Sequence, residues 1–309
     1  RRARGPRALP LAAGRNPRSV SAAAPLGRLR EVVALYGDRR LATILALGFA
    51  SGLPSPLVFS NLSIWLRDEG VSRTDIGLFA LVATPYAINF LWAPLVDRLP
   101  LPWLTARFGR RRGWMLATQG LLMGAVALLA SSSPGDALLP VAVGALCVSA
   151  ASATQDIVID AYRVEILEPA RYGAGSAVAI WGWHLGGTLV GGAGGLYLAD
   201  AFGWQAAYGA LAFAVLVGVV AVLTAPEPPR HVDAEAAAAE AAGRRFVAGH
   251  LHGRLAAILR WLHGAAVAPL LEFARRPGWW VILAFIFVFK LGDALLGRMA
   301  GVFYRELGF

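Results

Sequence analysis

Polar and ionisable side chains interrupt one long apolar stretch, which ends "SAASATQDIVIDAYRVE" at residues 149–165. In a helix, positions three, four or seven apart share a face. One such face carries the polar side chains Ser149, Ser152, Asp156, Asp160 and Arg163, with Gln155 at its edge. Because an ionised aspartate in the middle of a bilayer costs about 2.5 kcal/mol or more, this face is predicted to border a polar cavity or a partner charge.

The two aspartates of this face are predicted to differ in role. Asp160 lies three residues before Arg163 and close to the end of the stretch, which favours a structural ion pair. Asp156 lies one turn deeper. A sheltered carboxylate is suited to binding and releasing protons, so Asp156 is a candidate for proton coupling; the alternative is a hydrogen bond that fixes a neighbouring helix.

A second pair of opposite charges occurs in the segment "FVFKLGDALLG" near the end of the sequence. Lys290 and Asp293 are three residues apart and share a helical face. One interpretation is a self-neutralising pair that lowers the cost of inserting the helix. The other is a site for an anionic substrate or a proton relay, because ionisable residues inside a membrane are usually functional.

Charged side chains also gather where apolar stretches end. The segments "LWAPLVDRL", "GRRRGW" and "DAYR" place them on the same predicted side of the membrane. The residues are Asp97, Arg98, Arg110, Arg111, Arg112, Asp160 and Arg163. They predict an inner-face cluster that forms and breaks as the helices move; the alternative is anchoring of the arginines on the cytoplasmic side.

Small residues dominate the segment "WGWHLGGTLVGGAGG". Its glycines, at spacings that let helices approach closely, are Gly182, Gly186, Gly187, Gly191 and Gly195. They are interpreted as packing residues. His184, within the same segment, could titrate near neutral pH or donate one hydrogen bond to a neighbouring helix.

The elements that must position these residues are membrane spans. The chain is 57% hydrophobic and 16% charged, with a mean hydropathy of +0.57, which is too apolar for a soluble domain of 309 residues. Runs long enough to cross a bilayer occupy Leu41–Leu66, Ile76–Val96, Gly113–Ser131, Leu138–Ile159, Tyr172–Leu198 and Ala206–Leu223. A seventh run begins at Trp279.

The net charge of +10 is confined to particular loops, which argues against nucleic-acid binding and instead predicts topology. Arginines crowd the first forty residues, the loop at residues 107–113 and the loop at residues 230–276, so the N-terminus is predicted to be cytoplasmic. Cys147 is the only cysteine, which excludes an intrachain disulfide. No metal and no cofactor are predicted.

The predicted fold class is all-α: a polytopic membrane protein with a major-facilitator-type six-helix bundle and the start of a second bundle. The predicted divisions are a basic tail at 1–40, the bundle at 41–224, a cytoplasmic linker at 225–277 and the first helix of an incomplete bundle at 278–309. The tail is interpreted as disordered, with a transit-like peptide as the alternative. The linker contains either an amphipathic helix on the inner leaflet or a solvated helix.

The segments "LGFASGLP", "FLWAPLVDR", "FGRRRGWMLATQ", "SATQDIVIDAYR", "GWQAAYG" and "KLGDALLG" occur in an order that resembles the AmpG-like muropeptide permeases of the major facilitator superfamily. The resemblance extends from about Leu41 to Phe309. It implies a bacterial inner-membrane symporter that imports anhydro-muropeptides with protons, for cell-wall recycling and β-lactamase induction. The protein is expected to act as a monomer, and the chain is expected to be a fragment.

The same resemblance suggests which residues act on substrate or protons. These are Gly52, Ala153, Gln155, Asp156, Lys290 and Asp293. The chain departs from the family pattern at Asn89, where lysine is frequent, and at His184, where arginine is frequent; both remain candidates. Acetyl-CoA transporters share parts of these motifs, so another bulky anionic solute is the alternative cargo.

Two further classes of function are less well supported. An intramembrane enzyme would need a motif such as HExxH or GxSxG, and the sequence contains neither. A sensor or scaffold without transport would need a larger soluble region than the linker provides. The sequence therefore predicts a transporter and not an enzyme.

Overall fold

The computed structural model describes residues 37–229, 273–275 and 277–289, and no β-strand occurs within these ranges. The helices of the main bundle are α1 (Arg39–Gly52), α2 (Pro54–Val58), α3 (Ser60–Asp68), α4 (Arg73–Leu78), α5 (Thr84–Ile88), α6 (Ala93–Arg98), α7 (Leu104–Phe108), α8 (Arg110–Ala130), α9 (Leu138–Ile166), α10 (Tyr172–Trp183), α11 (Gly195–Phe202), α12 (Trp204–Ala214) and α13 (Leu216–Thr224). Short 3₁₀ turns occupy Phe79–Ala83, Asn89–Leu91 and Pro169–Arg171, and a π-helix at His184–Gly194 joins α10 to α11. A further apolar helix, α14, spans Trp279–Phe289.

Five helical segments of the described chain are long and apolar enough to cross a membrane. They are Arg39–Asp68, Arg73–Leu91, Arg110–Ala130, Leu138–Ile166 and Trp204–Thr224. A further helical rod, the fifth in chain order, is formed by α10, the π-helix and α11, which follow one another without a break between Leu138–Ile166 and Trp204–Thr224. The predicted fold class, an all-α polytopic membrane protein, is confirmed.

Prolines interrupt the first two rods. The first rod is interrupted at Leu53, directly before Pro54, whereas a second interruption, at Phe59, has no proline beside it. Proline has no backbone N–H and its ring clashes with the preceding turn, so a regular helix cannot continue through it. In the second rod Pro85 stands at the start of α5, where this restriction costs least.

The first and fifth rods pack backbone against backbone at glycines. A Cβ atom on Gly182, Gly186 or Gly52 would overlap a backbone carbonyl oxygen of the other rod, and one on Gly187 would lie 2.9 Å from the carbonyl oxygen of Gly52. Side chains larger than hydrogen would therefore force the rods apart. The packing role predicted for the glycines is confirmed, and Gly52 takes part in the same contact.

Hydrophobic side chains fill two regions between the rods. One surrounds Trp65 and Tyr208, whose rings lie 5.0 Å apart, and the other surrounds Met115 and Tyr162. The two regions lie on either side of the polar residues in the middle of α9. The polar residues are therefore held by close-packed hydrocarbon above and below.

Candidate functional site

The middle of α9 is tied to α1 by two polar contacts. The hydroxyl of Ser51 donates a hydrogen bond of 2.7 Å to Oδ1 of Asp156. The side-chain amide of Gln155 donates one of 2.9 Å to the carbonyl oxygen of Ala50. The helix-fixing hydrogen bond that was one interpretation of Asp156 is therefore present, and its role in proton coupling remains a prediction.

Several buried polar atoms near these contacts have no hydrogen-bond partner among the described residues. They are the hydroxyl oxygens of Tyr86, Ser149 and Ser152, Oε1 of Gln155 and both amide atoms of Gln119. Buried polar groups are normally paired with protein, water or a ligand, because an unpaired group costs about 1–3 kcal/mol. We define these residues with Ser51 and Asp156 as the central polar site.

Tyr86 and Gln119 bring two further rods to the central polar site. Tyr86, on α5, lies near Ser152 and Asp156. A Cβ atom on Gly218 of α13 would lie 2.6 Å from both the Ala50 methyl group and Nε2 of Gln119. Sequence reasoning missed Ser51, Tyr86 and Gln119; the signal for Gln119 is a lone amide inside an apolar run.

The remaining predicted substrate and proton residues occupy different surroundings. Ala153 is fully buried, and Asn89 is half-buried at the start of a 3₁₀ turn. His184 is exposed, and its Nδ1 lies 3.1 Å from the hydroxyl of Thr188, one turn further along the same rod. The contact that the structure describes for His184 therefore lies within its own rod, and the role of His184 stays a prediction. Lys290 and Asp293 lie outside the described residues.

A charge cluster does form at the end of the bundle that carries Arg110 and Arg111, here called the arginine-rich end. The Arg111 side chain is 6% exposed, and its Nη2 lies 2.5 Å from Glu165. Its Nη1 lies 2.6 Å from Asp97. Nη2 of Arg110 is 3.6 Å from the same Glu165 carboxylate, and Arg110 also donates to the backbone carbonyl of Asp97.

The arginine-rich end also holds the segment that follows α13. The carboxylate of Glu227 accepts hydrogen bonds of 2.9 and 3.1 Å from the backbone N–H groups of Arg111 and Arg112, at the start of α8. A carboxylate at a helix N-terminus satisfies N–H groups that lack helical partners. The Arg112 guanidinium donates to the carbonyl oxygens of Val222 and Leu223 at 3.0 and 2.9 Å.

The charged residues that were predicted to form one cluster thus form two separate groups. One group is centred on Arg111, and the other is the pair of Asp160 and Arg163. Asp160 and Arg163 form the expected pair at 2.9 Å, with side chains 66% and 28% exposed, on the same helix as Glu165. Two acidic residues that the sequence analysis did not assign to the cluster, Glu165 and Glu227, are partners of Arg111 in it. Within residues 37–229, 273–275 and 277–289, no three His, Cys, Asp or Glu side chains come together in a way that could hold a metal ion.

A membrane-spanning bundle with a polar site between its helices and a charge cluster at one end is typical of a membrane transporter. The chain belongs to the Major Facilitator Superfamily, whose sequence profile matches residues 44–309. This match confirms the expected major-facilitator type of the fold.

Two similar proteins indicate which members of the superfamily the chain resembles. The chain is 38% identical over 277 residues to the "Anhydromuropeptide permease" of Escherichia coli K12, covering 89% of this chain and 50% of that protein. It is 30% identical over 280 residues to the "Putative transporter AmpG 4" of Rickettsia felis, covering 90% of this chain and 63% of that protein. The predicted resemblance to AmpG-like permeases is confirmed, and the chain spans about half the length of the E. coli relative.

Proposed function

We propose that the protein is a proton-coupled symporter that imports anhydro-muropeptides across the bacterial inner membrane. The name of the E. coli relative supports this cargo, and the aligned region of 277 residues covers 89% of the chain. The N-terminus is on the cytoplasmic side, the protein acts as a monomer, and it is a transporter and not an enzyme.

The observation that carries the proposal is the contact between Asp156 and Ser51. As a carboxylate, Asp156 only accepts hydrogen bonds, whereas its protonated form also has a hydroxyl to donate. Protonation therefore weakens the 2.7 Å bond from Ser51, which joins α9 to α1. In this way the proton occupancy of one side chain changes how firmly two rods of the bundle are held together.

The arginine-rich end supports the proposed topology and mechanism. Asp38 pairs with Arg171 at the start of α1, and Tyr162 donates a 2.9 Å hydrogen bond to the carbonyl oxygen of Pro226. The first residues of α1, the loop before α8 and the segment after α13 therefore meet at one end, which is the cytoplasmic end by the positive-inside rule. The pairs of Arg111 with Asp97 and Glu165 are proposed to break and form again as the carrier changes conformation.

The test is uptake of labelled anhydro-muropeptide by vesicles that contain the full-length protein and an imposed proton gradient. Asp156→Asn is expected to abolish accumulation driven by the gradient while exchange of labelled for unlabelled cargo continues. Asp160→Asn is the matched control, because Asp160 is on the same helix but its side chain is 66% exposed and paired with Arg163. Its accumulation is expected to stay near that of the unmodified protein.

Two results would contradict parts of the proposal separately. Unchanged accumulation by the Asp156→Asn variant would show that Asp156 does not couple transport to protons. The proposed identity of the cargo would be unaffected by this result. Uptake of another bulky anionic solute, such as acetyl-CoA, without uptake of anhydro-muropeptide would reject the proposed cargo and leave the transporter class intact.

A further inference from the structure

A long apolar groove runs between α8 and α9 on the outer surface of the bundle. Its volume is about 650 Å³, and Trp92 and Leu95, which follow the second rod at the start of α6, close one side. Gly120 and Gly124 form part of its floor, and a Cβ atom on either would meet nothing within 4 Å. The groove is therefore open space that these two glycines leave unfilled.

The groove offers almost no hydrogen-bonding group to an occupant. The hydroxyl of Thr118 donates to backbone carbonyls of its own helix at 3.0 Å. The hydroxyl of Thr154 donates to the carbonyl of Ala150 at 2.7 Å and accepts from the Trp92 indole at 3.1 Å. Since its polar side chains are already paired, the groove suits a hydrocarbon chain.

The groove lies on the side of α9 away from the central polar site. Cys147 lines the groove, and Asp156 follows it by nine residues, or about two and a half helical turns, so the two side chains point in opposite directions. Leu121 and Leu128, at the rim of the groove, are 66% and 41% exposed. If the central polar site faces the path of the cargo, the groove faces lipid.

One end of the groove carries a tryptophan and lies beside a basic side chain. Trp114 lines that end, and its indole donates a 2.8 Å hydrogen bond to the carbonyl of Leu99, the residue after Arg98. The short helix α7 packs against the same end of α8, because a Cβ atom on Gly113 would lie 3.1 Å from the backbone of Leu104. Arg107, on α7, is exposed. Tryptophan and arginine together are typical of the membrane interface.

We propose that the α8–α9 groove binds an anionic phospholipid from the leaflet on the arginine-rich side. One acyl chain lies along Gly120 and Gly124, and the headgroup phosphate lies at Arg107 of α7. Between Trp114 and Leu128 the groove follows about 21 Å of helix, which exceeds the thickness of one leaflet, about 15 Å. The groove is therefore long enough for an extended acyl chain that starts at the interface.

Native mass spectrometry of the full-length protein, released from nanodiscs of phosphatidylglycerol and phosphatidylethanolamine, tests the proposal. The unmodified protein is expected to retain one phosphatidylglycerol in preference to phosphatidylethanolamine. Gly124→Leu, which fills the groove, is expected to lose this lipid. Gly209→Leu is the matched control: it adds the same side chain on α12, outside the groove and also where a Cβ meets nothing within 4 Å.

A headgroup variant tests the second half of the proposal without changing the groove. Arg107→Gln is expected to weaken retention of phosphatidylglycerol about fivefold, since one basic residue at an anionic surface contributes about 1 kcal/mol. Retention by Gly124→Leu equal to that of the unmodified protein would overturn the site. Equal retention of phosphatidylglycerol and phosphatidylethanolamine would reject the preference for an anionic headgroup. If the unmodified protein is a dimer and Gly124→Leu dissociates it, the groove binds a second copy of the chain instead of a lipid.

Discussion

The variant Glu165→Gln tests whether Arg111 is held mainly by one carboxylate. Arg111 contacts Glu165 through Nε, at 3.0 and 3.1 Å, and through Nη2 at 2.5 Å, whereas a single contact of 2.6 Å joins it to Asp97. The exposed fractions of the side chains are 6% for Arg111, 24% for Glu165 and 44% for Asp97. Removing one partner of a fully buried pair costs about 3–5 kcal/mol.

The partial exposure of Glu165 and the remaining charge of Asp97 reduce that cost. We expect Glu165→Gln to lower the free energy of unfolding by about 2–3 kcal/mol. Asp97→Asn should lower it by about 1 kcal/mol or less, because solvent screens the more exposed partner. The assay is equilibrium unfolding of the purified full-length protein in mixed micelles, with Asp160→Asn as control.

The ranking of the two variants decides the outcome. If Asp97→Asn destabilises the protein as much as Glu165→Gln, the bidentate contact is not the main partner of Arg111. If Glu165→Gln matches the Asp160→Asn control, the burial of Arg111 does not make its ion pairs important for stability.

Three further predictions use the same unfolding assay. Gly186→Ala places a methyl group against the carbonyl of Phe49 and should lower the free energy of unfolding by about 1–3 kcal/mol or more. Gly173→Ala is the control, because its methyl group meets nothing within 4 Å and should leave the free energy of unfolding unchanged. Equal effects of the two variants would contradict the backbone contact. Glu227→Ala leaves two N–H groups at the start of α8 unpaired and should cost about 1–2 kcal/mol, and an unchanged stability would argue against this cap. Gln119→Leu removes a buried amide without a partner and should leave stability unchanged or raised; a loss would mean that the amide is paired, for example by water.

Hydrophobic runs were enough to predict the spans, but not how the rods pack. In a soluble protein the apolar face of a helix indicates its buried side, whereas a membrane span is apolar on every side. The rod Arg73–Leu91 shows the consequence. Only 11% of its apolar stretch is buried inside the bundle, compared with 61% of the apolar stretch in Arg39–Asp68. The π-helix at His184–Gly194 has no local sequence signal either, since the spacing of glycines suits a regular helix equally well.

Local pairs of site residues could be predicted, and distant ones could not. Asp160 and Arg163 are one helical turn apart, so spacing alone predicted their contact. Arg111 and Glu165 are 54 positions apart, and Ser51 and Asp156 are 105 apart. Their contacts depend on the heights at which α1, α8 and α9 cross, which a single sequence does not specify.

The two contacts that α1 makes respond differently to a proton. Its contact with the fifth rod includes glycine backbones in close approach, and the atoms nearest to those glycines belong to no titratable side chain. An ion pair between the starts of the two rods, Asp38 with Arg171, lies at the other end of α1 from Ser51. The contact of α1 with α9 includes the hydrogen bond from Ser51 to Asp156, whose strength depends on the charge of the carboxylate. If Asp156 couples transport to protons as proposed, a proton that arrives there loosens α1 from α9 and leaves its packing against the fifth rod unchanged. The relative motion that proton binding favours is accordingly one in which α1 and the fifth rod move together against α9.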